Sequence, residues 1–348
     1  MTASAGWSAD LEAAIAANPD DEDAYLVYAD GLQMRGDPRG TLIALQVAAE
    51  HDRGAWPRAD EYLSEHLDVF LGTLIEHVAE HDPLFRLEWR YGFIRRATIR
   101  MRNRFVAGAT GWIEQLVEHP SARFLRELVF DIRDSVDNQQ RLVDMLARHR
   151  FPSLRVLELG EVGYGHFDRD PPGPALELSA LWPAVASIEQ LAVRGEIDDG
   201  HLPLPALRRL AIQADTLPED RMLEIVASPL RRLERLDVRL PYVPWQYDPS
   251  PPLAALLTPL VPQLRHLGVS GVQYHTDRLT ALLARLPLQL EALDLPNNRL
   301  TDDDARHLAT SWWRVEILDV TRNVLTAKGI AALQAVAKLV VGEDQLAR

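Results

Sequence analysis

Eight copies of the pattern L-x-x-L-x-L, with Ile, Val or Phe allowed at the apolar positions, constrain this chain more than any other feature. Apolar residues separated by one position predict a short strand that buries one of its faces. Self-similarity at a period of about 20–50 residues is typical of proteins built from stacked repeats. The central residues of the eight copies are Leu128, Leu157, Leu191, Leu210, Leu236, Leu267, Leu293 and Leu318.

The segments between these strands predict helices, because their apolar residues recur at helical spacing. A strand and a helix in each repeat predict an α/β chain with a parallel sheet on one side and helices on the other, since neither element buries its apolar face alone. The predicted helices are Asn138–Arg148, Glu219–Ala227, Asp277–Leu286, Asp302–Ser311 and Ala327–Ala337, and the predicted long loops are Gly160–Pro174 and Pro241–Pro252.

The last two repeats add an asparagine, in Leu295-x-x-Asn298-x-Leu300 and Val320-x-x-Asn323-x-Leu325. An asparagine side chain in this position can bond the backbone of a turn. With this addition the repeats resemble leucine-rich repeats of the ribonuclease-inhibitor-like variety. The resemblance implies a solenoid with a parallel sheet on its concave side and helices on its convex side, preceded by a small all-α domain.

Charge divides the chain into two parts. Residues 1–82 contain 17 Asp and Glu against four Arg, a balance of −13, whereas the whole chain has a net charge of −14. Such a step in charge is a candidate domain boundary. We therefore expect a helical domain over residues 1–82 and a repeat domain over residues 83–348, with an N-terminal cap near residues 84–101.

The segment Leu11–Gln46 contains a motif of its own, which ends in Gly36-Asp37-Pro38-Arg39-Gly40. It resembles the small repeat-companion domain that precedes repeats in myxobacterial and planctomycete proteins. Gly31 stands where that family usually has Trp, and Met34 stands where it often has Glu. The resemblance implies a repeat array downstream and no particular activity.

Composition excludes several kinds of chemistry. The chain has no cysteine, which excludes disulfides, cysteine-bound zinc, iron–sulfur clusters and thiol catalysis. It also lacks the phosphate-binding pattern G-x-x-x-x-G-K-[ST] and the nucleophile pattern G-x-S-x-G. We therefore expect a non-enzymatic protein with no cofactor and no metal. The absence of a signal sequence and of a long apolar run predicts a cytoplasmic protein that does not engage a membrane.

Two enzymatic alternatives remain open. His77-Val78-Ala79-Glu80-His81 matches the zinc-hydrolase pattern H-x-x-E-H. Asp82-Pro83 ends any helix directly after it, so a solvated helix face is the favoured interpretation. The second alternative is a regulator of a GTPase or of another enzyme.

A basic stretch runs from Arg86 to Arg104, directly after the acidic segment. The favoured interpretation is an internal contact with the acidic helices or a solvated cap, and the alternatives are an acidic protein partner and a nucleic acid. The strongly negative net charge argues against nucleic acid.

Residues that alternate with the repeat leucines are expected to line the concave sheet. Mixed charge over a broad surface suits a folded protein partner, and exposed Tyr and Trp are favoured interface anchors. We therefore predict a protein-binding site with a partner of unknown identity and an oligomeric state left open. The aromatic residues could instead seal the edge of the solenoid, and the helical domain could instead be the binding module. The predicted site residues are Arg194, Arg209, Arg235, Asp237, Arg239, Tyr242, Trp245 and Tyr247.

Overall fold

The computed structural model describes residues 3–76, 85–102, 106–133, 136–160, 176–195, 198–240 and 246–346. Over these residues the protein is α/β, with eleven strands in one sheet that are mostly parallel and with helices between many of the strands. This confirms the predicted α/β class and the parallel sheet. The chain divides into two compact units, Met1–Leu159 with Pro183–Ser187, and Gly160–Trp182 with Ile188–Arg348.

The first unit begins with short helices. They are α1 (Ala3–Ala17), α2 (Glu22–Gln33), α3 (Pro38–His51), α4 (Trp56–Glu65) and α5 (Leu67–Leu71). The side chain of Asp21 accepts a hydrogen bond from the backbone of α2, and Asp37 does the same for α3. Such caps satisfy N–H groups that have no partner within the helix. The sequence predicts one long helix from Pro57, but the structure interrupts it at His66, whose φ and ψ of −117° and 16° are not helical.

The rest of the first unit contains the strands β1 (Phe85–Arg90), β2 (Phe93–Arg102), β3 (Glu127–Arg133) and β4 (Val156–Leu159), with α6 (Val106–Glu118) and α7 (Val136–Ala147) between them. Strand β2 is antiparallel to β1 and parallel to β3, with Ala97 opposite Leu128 and Ile99 opposite Phe130. Ala97 and Ile99 are fully buried. Strand β2 therefore continues the register of the repeats, although Ala97 replaces the central leucine of the pattern.

The helices of the first unit share one apolar core with the β1–β2 hairpin. Ile15, Tyr25 and Ile43 pack in a single cluster with Tyr91 and Phe93. The ring centroids of Tyr25 and Tyr91 lie 4.8 Å apart. Residues on both sides of position 82 thus bury their apolar surface together. The boundary predicted there falls within residues 77–84, which lie outside the described part of the chain, and it stays a prediction.

The motif Gly36–Gly40 connects α2 to α3 and fixes their approach. Gly36 has a φ of +74°, a conformation that favours glycine at the end of a helix. Arg39 donates hydrogen bonds to the carbonyl of Gly92 and, at 2.9 Å, to Ser121 Oγ. A Cβ on Gly40 would lie 2.5 Å from the carbonyl oxygen of Ala29. Each of these residues therefore has a structural reason to be present.

The second unit repeats strand and helix. Its strands are β5 (Gln190–Arg194), β6 (Arg209–Gln213), β7 (Arg235–Arg239), β8 (His266–Ser270), β9 (Ala292–Asp294), β10 (Val315–Asp319) and β11 (Ala337–Val341). Its helices are α8 (Glu219–Ala227), α9 (Ser250–Leu260), α10 (Thr276–Arg285), α11 (Asp302–Ala309) and α12 (Ala327–Leu333). The strands are parallel and in register, so that the central leucines of successive repeats lie side by side. These leucines are buried.

Two elements differ from the sequence expectation. Helix α9 begins inside the predicted loop Pro241–Pro252, because Pro251 and Pro252 occupy the first turn, where proline is tolerated. The predicted helix Ala327–Ala337 ends at Leu333, and Ala337–Val341 forms β11 instead. Val340 of β11 lies opposite Leu318, so β11 extends the repeat register by one strand.

Buried asparagines connect the last repeats. Asn298 and Asn323 are fully buried. Asn323 Oδ1 accepts hydrogen bonds from the backbone N–H groups of Asn298 and Leu300, and its Nδ2 donates to the carbonyl of Leu295. Gln345 repeats this arrangement one turn later, since it accepts from Leu325 N–H and donates to the Val320 carbonyl. The predicted asparagine–turn bonds are therefore present, and they also join each turn to the preceding one.

Candidate protein interface

The sheet of the second unit has one face on which side chains alternate with the buried leucines and valines. We call this the open face, and strand register arranges its residues in rows. One row is Gln190, Arg209, Arg235, His266, Ala292, Ile317 and Leu339. The next row is Ala192, Ala211, Asp237, Gly268, Asp294, Asp319 and Val341. A third, shorter row is Arg194, Gln213, Arg239 and Ser270.

The predicted arginines lie together on strands β5, β6 and β7. Arg209 is the register partner of Arg235, and Gln213 separates Arg194 from Arg239. Arg209 and Arg239 are exposed, whereas Arg194 is half-buried. The structure thus brings the four arginines onto one face of neighbouring strands. Their role in binding stays a prediction.

Arg235 and Asp237 form a bidentate pair on β7. Arg235 Nε donates to Asp237 Oδ2 at 2.6 Å, and its Nη2 donates to Asp237 Oδ1 at 3.1 Å. The same Nη2 lies 3.6 Å from Asp294 Oδ2. A Cβ on Gly268 would lie 2.4 Å from Asp237 Oδ1. The missing side chain at Gly268 therefore makes room for the carboxylate of Asp237 over β8.

The electrostatics of the open face change along the sheet. The hydrogen bonds that Arg235 donates to Asp237 raise the pKa of Arg235 and outweigh the opposite effect of partial burial. Burial raises the pKa of Asp294, and the neighbouring carboxylates of Asp319 and Asp237 raise it further against the opposing effect of Arg235. The face is thus rich in arginine at β5–β7 and holds an excess of carboxylate at β9–β10.

Tyr247 differs from the other predicted anchors. Its hydroxyl donates to the carbonyl of Leu217 at 2.9 Å and accepts from the N–H of Leu217 at 2.8 Å. Burial raises its pKa. The hydroxyl of Tyr247 therefore joins its loop to the segment before α8 by hydrogen bonds. This contact is in keeping with the alternative in which aromatic residues seal the edge of the solenoid. Tyr242 and Trp245 lie outside the described residues.

Sequence reasoning missed the last strand of the open face. Ile317 and Leu339 are register partners on β10 and β11, and their exposed fractions are 41% and 54%. The helix predicted over Ala327–Ala337 overlaps the first residue of β11, so no strand is predicted at Leu339. The signal that could have found it is the spacing of Ala337 and Val340, which repeats that of Val315 and Leu318.

The basic stretch makes internal contacts in the first unit. Arg95 and Arg126 both donate to the carboxylate of Asp20, and Arg90 Nε donates to Glu50 Oε1 at 2.8 Å. Although partial burial of Asp20 has the opposite effect, Arg95 and Arg126 lower its pKa. These contacts agree with the favoured interpretation of an internal match between arginines and acidic helices.

Neither metal sites nor membrane spans are found in the described part of the chain. No three His, Asp or Glu side chains of these residues are grouped to hold a metal. His77, Glu80 and His81 lie outside the described residues. Among the described helices, none is both long enough and apolar enough to cross a bilayer.

The fold has a counterpart among solved structures. The crystal structure of a protein from Bacteroides fragilis is similar to this chain, with a TM-score of 0.54 and 16% sequence identity. The alignment covers 83% of this chain and 85% of the other. At this level of identity the likeness shows a shared fold alone. No family model matches the chain, and no curated protein sequence matches it.

Proposed function

We propose that this chain is a leucine-rich-repeat solenoid with an N-terminal repeat-companion domain, and that it is a non-enzymatic cytoplasmic scaffold that binds a protein partner. The observation that carries the proposal is the open face itself. Its strands bury one set of side chains in the core and align the alternate set, most of it half-buried or exposed, in rows across the sheet. In a solenoid such a face is the extended binding surface.

The arginine-rich part of the open face suits contact with a folded protein. Within the described residues, Arg209 and Arg239 are exposed and form no ion pair, so their donors are available to a partner. Arg235 is already held by Asp237 and contributes shape and local charge. Arginines of this kind are enriched among residues that dominate binding energy. Arg209 and Arg239 are therefore the anchors of the proposed interface.

Affinity purification of the tagged full chain from the organism that encodes it tests the proposal. The double variant Arg209→Ala/Arg239→Ala should recover at least about tenfold less of the partner that wild type recovers, since each anchor contributes about 1–2 kcal/mol. The matched control is Arg231→Ala/Arg232→Ala, which removes two exposed arginines outside the open face. Equal recovery by both double variants would contradict the proposal.

The same purification shows whether the partner binds the helical domain or the open face. Glu61 and Glu65 are exposed residues of α4, far in sequence from the open face. If Glu61→Ala/Glu65→Ala abolishes recovery of the partner while Arg209→Ala/Arg239→Ala does not, the helical domain is the binding module.

A further inference from the structure

Two large apolar side chains stand exposed on the open face, side by side. Ile317 and Leu339 are register partners on β10 and β11, and neighbouring strands of a sheet lie about 4.8 Å apart. Ala292 of β9 extends the same row. The exposed fractions of 41% and 54% show that the described chain does not cover this apolar pair.

A pair of carboxylates lies in the adjacent row of the same strands. Asp294 and Asp319 are register partners on β9 and β10, and Asp319 follows Ile317 by two residues. Residues two apart on a strand point to the same side and are about 6.5 Å apart. Arg235 Nη2 lies 3.6 Å from Asp294 Oδ2, and Arg235 is already bonded to Asp237. The carboxylate pair and the apolar pair thus form one continuous surface with excess negative charge.

We propose that this end of the open face receives a protein segment that presents an arginine or lysine beside apolar side chains. The cationic head would lie against Asp294 and Asp319, while the aliphatic stem and the apolar neighbours would cover Ile317 and Leu339. Long basic side chains bury an apolar stem while their charged head meets polar groups. The inference rests on the proposed function, and it adds the chemistry that the partner must present at this end.

Charge complementarity favours this occupant over an acidic or a purely apolar one. An acidic segment would bring like charge against the carboxylate pair, which is unfavourable. A purely apolar segment would cover Ile317 and Leu339 but would bury the carboxylates without a counter-ion. A cation avoids both penalties. Burial raises the pKa of Asp294, and the carboxylates of Asp319 and Asp237 raise it further against the opposing effect of Arg235, which is in keeping with an added cation at this position.

Peptide titration of the full chain, observed by NMR of ¹³C-labelled Ile and Leu methyl groups, tests the inference. The probe is a synthetic peptide with Leu-Arg-Leu between Gly-Ser spacers, and the matched probes carry Leu-Glu-Leu or Ser-Arg-Ser. The methyl signals of Ile317 and Leu339 should shift saturably with the Leu-Arg-Leu peptide. Both matched peptides should bind at least about tenfold more weakly, a difference of about 1.4 kcal/mol.

Variants assign the binding to the carboxylate pair. Asp294→Asn/Asp319→Asn should lower the affinity for the Leu-Arg-Leu peptide by at least about tenfold. The control Asp220→Asn/Asp277→Asn removes two exposed carboxylates from the helices and should leave affinity within about twofold. Equal binding of the Leu-Glu-Leu peptide, or no shift of either methyl signal, would overturn the inference.

Two further outcomes are distinct. Shifts of the same methyl signals with protein concentration alone, without peptide, would assign the surface to a second copy of this chain and would also overturn the inference. A failed peptide titration combined with loss of the partner in Arg209→Ala/Arg239→Ala would leave the proposed function standing and reject only this inference. If the peptide binds but Arg209→Ala/Arg239→Ala recovers as much partner as wild type, the inference stands and the proposed function is rejected.

Discussion

Asn323 should contribute more to stability than any polar side chain on the surface of the second unit. It is fully buried, and its amide joins the turn of the last repeat to the turn before it. Its Oδ1 accepts from Asn298 N–H at 3.0 Å and from Leu300 N–H at 2.9 Å, and its Nδ2 donates to the carbonyls of Leu295 and Val320, both at 2.9 Å. Removing it leaves buried backbone groups without partners.

The size of the effect follows from these four bonds. A buried polar group left unsatisfied costs about 1–3 kcal/mol. Asn323→Ala orphans the N–H groups of Asn298 and Leu300, so we expect a loss of about 3–5 kcal/mol. Asn323→Asp keeps the acceptor but loses the donor and places a negative charge against two carbonyls, so it should destabilise at least as strongly near neutral pH. Either loss is a large fraction of the stability of an ordinary domain, about 5–15 kcal/mol.

Urea unfolding followed by tryptophan fluorescence measures the effect. Trp313 is buried directly before β10 and donates to the carbonyl of Leu283 at 2.9 Å, so it reports on the unfolding of these repeats. Hydrogen exchange should show faster exchange at the amides of Asn298 and Leu300. The control Gln334→Ala changes an exposed residue at the end of α12. If Asn323→Ala and the control unfold at the same urea concentration, the buried amide of Asn323 does not stabilise these repeats as we expect.

Three further variants test the electrostatics and packing. Arg39 Cζ lies 4.8 Å from the centroid of the Phe93 ring and 5.2 Å from that of the Phe70 ring, and the Arg39 guanidinium donates to Ser121 Oγ. Arg39→Ala should therefore lower the free energy of unfolding by about 2–4 kcal/mol, measured by urea unfolding. Asp20 has a lowered pKa, so its ion pairs stabilise the fold above its unfolded pKa. Asp20→Asn should therefore cost about 1 kcal/mol at pH 7, and the difference should close as pH falls through the folded pKa. Asp294 has a raised pKa, so its ionisation costs stability at neutral pH. Asp294→Asn should then stabilise by less than about 1 kcal/mol at pH 7, with a gain that vanishes as pH falls below the folded pKa of Asp294. Thermal melts from pH 3 to pH 7 measure the stability of both variants relative to wild type. If both variants were destabilised at pH 7, or both stabilised, the opposite directions of the two pKa shifts would be wrong.

The sequence predicts the repeat strands well because their pattern is both local and repeated. Each of the eight predicted strands is present, and Leu293 and Leu318 are buried as their alternation implies. The pattern fails at the two outer strands of the register. Strand β2 has Ala97 in the central position, and β11 has Val340 there, so neither strand carries the central leucine that the pattern requires.

The candidate interface is less predictable, because side-chain pairing depends on strand register. The sequence places Arg235 and Asp237 on one face, but it does not show that Gly268 makes room for Asp237 or that Arg235 extends to Asp294. Tyr247 looks like an exposed anchor in a polar loop, and only the structure shows its bonds to Leu217. Contacts across about 30 residues of chain leave no local signal.

Site-specific photo-crosslinking in the organism that encodes the chain tests the central proposal most directly. A benzoylphenylalanine in place of Gln213 would stand on the open face between Arg194 and Arg239. The control position is Leu223, an exposed residue of α8 on the helical side of the same unit. We expect a discrete protein adduct from position 213 and none from position 223. An adduct from position 223 alone would contradict the proposal, because the partner would then bind the helices and not the open face.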